Sequence, residues 1–228
     1  VFSNPPKSEE DLLYTTLKIT CKARVKDESG SGFREITKSG TGFIFDFTEI
    51  DRSLHASKSQ KVPNPYLFTN KHVIEDAVEG TLTFHLRTDH GYGSPHYSTR
   101  TFNFPKDLKS TSSFQEMFFK HQTADLCAMP LKDIINKINE TSYNSGPGFY
   151  HSLGMNNIVN FESEPAIQDI LMVGYPMGIS DEESNLPIDR KGLTSSHLRK
   201  DFQGRKEVLI DAACFPGSSG SPVFLSSS

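Results

Sequence analysis

The segment Asp211–Phe224 constrains the chain most, because it sets Phe215-Pro216-Gly217-Ser218-Ser219-Gly220-Ser221-Pro222 between two apolar stretches. Gly217 and Gly220 bracket Ser219, and their small neighbours let the backbone curl until several N–H groups point at one spot beside a hydroxyl. Pro222 lacks an N–H, and Val223 and Phe224 favour extended backbone, so a strand and not a helix leaves the turn. A serine presented in this way is either an ordinary loop residue or a nucleophile. The rest of the chain decides which, by supplying partners or failing to.

The first candidate partner lies in Tyr66-Leu67-Phe68-Thr69-Asn70-Lys71-His72-Val73-Ile74, an apolar run that ends in a polar triplet and a histidine before turning apolar again. This pattern places His72 at the end of a buried strand. Taken singly, any of the eight histidines is explained by backbone hydrogen bonding as readily as by chemistry. The second candidate is Asp125, the one carboxylate opening the apolar run Ala124-Asp125-Leu126-Cys127-Ala128-Met129-Pro130-Leu131. An acid entering a core strand must be paired or hydrogen-bonded, since burying an unpaired charge is costly. Read alone, it is equally a strand-end turn residue.

Together the three residues run in the order His72, Asp125, Ser219, which separates one group of hydrolase folds from others that use the same residue types. At this point the chain resembles the trypsin-like serine peptidases, and within them the bacterial branch that includes the HtrA (Deg) proteases and the glutamyl endopeptidases. Five motifs in order carry the resemblance: Ser39-Gly40-Thr41-Gly42-Phe43-Ile44-Phe45, Leu67–Ile74, Ala124–Ala128, Val173-Gly174-Tyr175-Pro176-Met177-Gly178 and Asp211–Val223. It implies an all-β fold of two antiparallel six-stranded β-barrels of the chymotrypsin type. With nine residues after Ser219, the second barrel is expected to be incomplete. The implied organisation is a leader over 1–13, a first lobe with the interlobe connection over 14–140, and a second lobe with the nucleophile over 141–228.

The resemblance also implies a serine endopeptidase acting through an acyl-enzyme. In it Ser219 attacks the peptide carbonyl, His72 takes and returns the proton, and Asp125 holds the imidazole's tautomer. The N–H groups of Gly217 and Ser219 would form the oxyanion hole. Ala213 and Cys214 fall near the floor of the primary pocket, and because neither is charged, a small neutral or apolar P1 residue is expected over Lys or Arg. His197 lies where glutamyl endopeptidases place a histidine beside an acidic side chain; a plain surface histidine is the other reading. Ser218 stands where digestive trypsins carry an aspartate that pairs with a newly cut N-terminus, so activation by that salt bridge is not expected. Residues 181–185 and Asp189-Arg190-Lys191 read as a polar loop, either gating the pocket as HtrA activation loops do or simply solvated.

Two rivals belong to other classes. One is a latent or non-catalytic protease-fold binding module that needs a partner or further C-terminal strands; the other, an esterase of unrelated fold, is disfavoured by residue order and by Pro222. No cofactor or metal is expected, since the chain has neither a His-Glu-x-x-His helix nor a Cys-x-x-Cys spacing. A formal charge of −4, without a basic cluster interleaved with aromatics, argues against nucleic acid, and no apolar run is long enough to cross a bilayer. Protein or peptide substrates are the expected partners, with a regulatory domain or partner protein in a larger bacterial protein. Cys21 and Cys127, two of three cysteines, lie in apolar runs as buried free thiols, which favours a cytoplasmic setting over an exported form with its signal removed. Cys214 is expected to line the base of the primary pocket.

The 17 Phe and 7 Tyr, with no Trp, suit β-structure. Strands are expected over 14–23, 42–47, 66–68, 81–87, 167–174, 190–195 and 207–211, with a polar loop over 53–65. Short helices are expected over 115–121 and 132–140, the second with an apolar stripe of Leu131, Ile134, Ile135 and Ile138 for packing.

Overall fold

In the strand Thr16–Lys26 (β1) buried and exposed side chains alternate, with Leu17, Ile19, Cys21 and Ala23 inward and Lys22 and Arg24 outward. This period of two makes the segment a strand with one face for a core. The computed structural model describes residues 1–2, 9–27, 31–47, 63–88, 96–141, 146–181 and 183–226. The polar loop expected from residue 53 lies outside them up to residue 62, as do residues 3–8 of the leader, residue 182 and residues 227–228.

β1 sits inside an antiparallel sheet with Phe33–Asp46 (β2), Pro65–Thr69 (β3), Ala77–Thr88 (β4), His96–Phe104 (β5), Phe119–Lys120 (β6) and Cys127–Pro130 (β7), in the order β5-β4-β1-β2-β3-β7-β6. Gly148–Phe149 (β8) pairs with β4, so the chain stays on this sheet past residue 140. A second sheet holds Asp169–Gly174 (β9), Ile188–Thr194 (β10), Ile210–Ala212 (β11) and Val223–Leu225 (β12), in the order β11-β10-β9-β12. The all-β fold is as expected; among the described residues the first sheet holds eight strands, where six were expected, and the second, expected to fall short of six, holds four, with no closed barrel formed.

The first core is built from inward residues of β1, β3 and β4 with Phe102, Phe104 and Phe114, and is closed by the helix Lys132–Thr141 (α1). The expected stripe of Leu131, Ile134, Ile135 and Ile138 is buried there. Of residues 115–121, expected as a short helix, only 115–117 are helical. A short 3-10 turn, Phe114–Met117, in which the Ser113 N–H donates to the Glu116 carboxylate at 2.8 Å, leads directly into β6.

A separate apolar cluster joins the two sheets. Ile44 and Leu67 face the first core, whereas their neighbours Phe43, Phe45 and Phe68 turn the other way and meet Leu171 and Val173 of β9 and Phe224 of β12. β2 and β3 are therefore apolar on both faces, and Phe43 stacks on Phe68 with centroids 5.5 Å apart.

Candidate active site

β3 and β7 are antiparallel neighbours with Thr69 opposite Cys127. The chain leaving β3 and the chain entering β7 thus emerge at the same sheet edge. The first turns into a single helical turn, Lys71–Ile74, that carries His72; the second arrives through a bend that carries Asp125. The His121 ring Nδ1 accepts the N–H groups of Thr123 and Ala124 at 3.3 and 3.0 Å and shapes that bend. Asn70 Nδ2 ties it to the helical turn by donating to the Asp125 carbonyl at 2.6 Å. His72 therefore lies just past its strand rather than at its end.

Ser219 arrives from the other sheet, in the turn between β11 and β12. Its Oγ lies 2.8 Å from His72 Nε2, and His72 Nδ1 lies 2.5 Å from Asp125 Oδ2. The other carboxylate oxygen, Oδ1, accepts the backbone N–H of His72 at 3.2 Å. The histidine and aspartate side chains are 53% and 48% exposed, so a large ligand can reach them. Partial burial alone would raise the Asp125 pKa, but hydrogen bonds from the His72 ring and from the His72 and Lys71 amides outweigh it and hold the carboxyl below its ordinary range. The aspartate is thereby kept as an acceptor for the Nδ1–H.

The turn around Ser219 depends on two glycines. Gly217 has φ +90°, and a Cβ there would come within 2.5 Å of the Tyr175 carbonyl oxygen; Gly220 has φ +86°, and a side chain would run into the Thr41 carbonyl. The N–H groups of Gly217 and Ser219 donate to no protein acceptor among the described residues.

Thr41 of β2 is a residue to which sequence reasoning assigned no role. Its N–H donates to the Ser219 carbonyl at 2.9 Å and its Oγ1 donates to the Gly217 carbonyl at 3.0 Å. The same Oγ1 accepts the Tyr175 N–H at 2.9 Å, and the Thr41 carbonyl accepts from Thr69 Oγ1 at 2.7 Å. One fully buried threonine thus joins both sheets to the serine turn. Its flanking Gly40 and Gly42 make room for the side chains of Val73 and Leu67 and do not by themselves mark it.

Ala213 and Cys214 are exposed beside the turn, and the Ala213 carbonyl accepts from Arg190 Nη1 at 2.9 Å. His197 is not brought to the triad; its Nδ1 accepts the Arg199 N–H at 3.2 Å within a surface turn. Residues 188–194 form β10, paired with β9 and β11, which agrees with the strand expected over 190–195 and corrects the other reading of Asp189-Arg190-Lys191, as loop. Asp181 instead closes a local turn, with Oδ1 accepting the Glu183 and Ser184 N–H groups at 3.2 and 2.7 Å. A cleft of about 560 Å³, lined by Phe2, Phe161, Leu198, Ile210, Pro222 and Val223 among others, opens behind the turn and includes none of His72, Asp125 or Ser219. Among the described residues no cluster of side chains is suited to a metal ion and no helix is long and apolar enough to cross a membrane. Cys21 and Cys127 are buried free thiols, as expected, and burial pushes both pKa values up to about 12.

No curated protein matches this chain. Among solved structures, an HtrA-type protease, AlgW, determined with a tripeptide, is similar at 13% identity over 94% of this chain and 48% of that one, with a TM-score of 0.42. The chain thus spans about half the length of that structure. Residues 40–228 match the family model of the trypsin-like peptidase domain, a span that takes in Thr41, His72, Asp125 and Ser219, and the chain therefore belongs to the trypsin-like peptidases.

Proposed function

We propose that the protein is a serine endopeptidase in which Ser219 is the nucleophile, His72 the general base and acid, and Asp125 the group that orients the imidazole. One observation carries the reading above all: the unbroken line from Ser219 Oγ through the His72 ring to Asp125 Oδ2, at 2.8 and 2.5 Å. With Asp125 accepting the Nδ1–H, the Nε2 lone pair faces Ser219 and takes its proton as Oγ attacks the peptide carbonyl. The oxyanion that forms is met by the unpaired N–H groups of Gly217 and Ser219, whose preorganisation costs nothing at the moment of reaction. His72 then gives its proton to the departing amine. A water activated by the same ring hydrolyses the acyl-enzyme.

A small neutral or apolar P1 residue fits the uncharged Ala213 and Cys214. The Arg190 guanidinium on the Ala213 carbonyl adds a cation there, which disfavours a Lys or Arg side chain. Cleavage of a peptide library, with P1 read by mass spectrometry and Ser219→Ala as control, tests both parts. Cuts after Ala, Val or similar residues that vanish in the variant are expected. Cuts after Lys or Arg would overturn the specificity, and cuts retained by the variant would overturn the nucleophile.

A further inference from the structure

Arg190 lies on β10, outside the serine turn, yet its guanidinium is aimed into it. Nη1 donates to Ser218 Oγ at 2.6 Å and to the Ala213 carbonyl at 2.9 Å. Ser218 immediately precedes Ser219 and is only 8% exposed. Its Oγ also accepts the Phe215 N–H at 3.1 Å, its own N–H donates to the Phe215 carbonyl at 3.0 Å, and its carbonyl accepts the Ser221 N–H at 3.0 Å. One cation from a neighbouring strand therefore ties the entry of the turn, at Ala213, to its apex, at Ser218.

Nothing else among the described residues competes for that cation by hydrogen bonding. Nε and Nη2 of Arg190 are buried and have no hydrogen-bond partner. Holding a guanidinium with two unsatisfied nitrogens costs free energy, so a fold that retains it draws some return from the bonds it does make. Those bonds are charge-assisted, stronger and more directional than hydroxyl contacts between neutral groups. They fix Ser218, and Ser218 is flanked by Gly217 and Ser219, whose N–H groups are unpaired.

We infer that Arg190 is a positioning residue for the peptidase reaction proposed above. Its guanidinium locks residues 213–219 in the arrangement that keeps the Gly217 and Ser219 N–H groups turned toward the substrate oxygen, acting through Ser218 without touching substrate. This rests on the reading of Ser219 as nucleophile. The neutral side chain of Arg190→Met removes the tie; Arg190→Lys keeps the charge but not the forked geometry.

The test compares wild type, Arg190→Met and Arg190→Lys by two measurements: the rate at which a fluorophosphonate labels Ser219, and amide hydrogen exchange of the peptide covering 213–221. Labelling should fall about ten- to a hundred-fold in Arg190→Met, the range expected for one charge-assisted hydrogen bond. Exchange should quicken in 213–221 while β1 and β4 keep their protection, and Arg190→Lys should recover part of both. On a peptide substrate the loss should fall on kcat more than on KM. Wild-type labelling in Arg190→Met overturns the inference, and so does slowed labelling with unchanged exchange in 213–221. If Arg190→Met loses protection throughout, Arg190→Lys decides by the same two criteria. Absence of labelling in wild type, with local exchange still responding to Arg190, would remove the peptidase reading and leave the tie itself standing.

Discussion

At the scale of single residues, the candidate site joins three side chains from separate segments by two short hydrogen bonds. Each residue type is needed for a different reason. Only a carboxylate at position 125 forces the imidazole to carry its proton on Nδ1; an amide can donate there instead and turn the ring's lone pair away from Ser219. Asp125→Asn is therefore expected to lower kcat by roughly 10⁴-fold with little change in melting temperature, since the half-exposed pair contributes little to stability. A kinetic assay beside a thermal melt checks both halves, and a loss of less than ten-fold would contradict the role. These three residues were legible in the sequence because each sits in a short stretch of unusual composition. Arg190 and Thr41 were not, because their roles depend on which distant backbone they meet, and no local pattern records that.

At the scale of elements, β2 and β3 do two jobs. One face of each strand belongs to the first core, the other to the cluster that receives β9 and β12, and Thr41 on β2 clips the serine turn between them. Thr41→Val keeps the shape but removes the hydroxyl, stranding the buried Gly217 carbonyl and the Tyr175 N–H. Each stranded group costs about 1–3 kcal/mol, and for a chain of this size about 2–4 °C of melting temperature accompanies each kcal/mol. The expected result is a lower melting temperature together with at least ten-fold slower labelling of Ser219, both recovered by Thr41→Ser; an unaffected variant would contradict the clip. Most strands were readable where a buried face alternated, as in β1 and much of β4, or where a short apolar run was buried on both faces, as in β9. β5 was missed because its apolar Phe102 and Phe104 come only at its end, after polar residues that read as loop. The first half of β2 is largely exposed and polar, and it is a strand because β1 pairs with it along its full length.

At the scale of the whole molecule, two sheets and an aromatic seam hold His72, Asp125 and Ser219 together, so global stability and the geometry of the candidate site are linked. His85 on β4 is 1% exposed, with its ring edge-on to Tyr14 at 5.2 Å. Burial lowers its pKa from 6.5 to about 4, only partly offset by a backbone hydrogen bond with Ser184. The folded state therefore keeps it neutral while the unfolded chain takes up a proton. The stability it contributes is complete above pH 6.5 and is lost as the pH falls toward about 4, at up to about 1.4 kcal/mol per pH unit. Denaturant melts across this window should show that loss, and His85→Phe should flatten it; identical slopes would contradict the assignment. The all-β class and the order of the motifs were legible, because chain order and alternation are local records. The eight-and-four division of strands was not, because sheet membership is settled by pairings between distant segments. The most direct test of the central claim is intact-mass analysis after fluorophosphonate treatment of wild type and Ser219→Ala. One adduct per chain on the wild type, mapped to Ser219 and absent from the variant, is the expected result; an unlabelled wild type, or equal labelling of both, would contradict the assignment of Ser219 as an activated nucleophile.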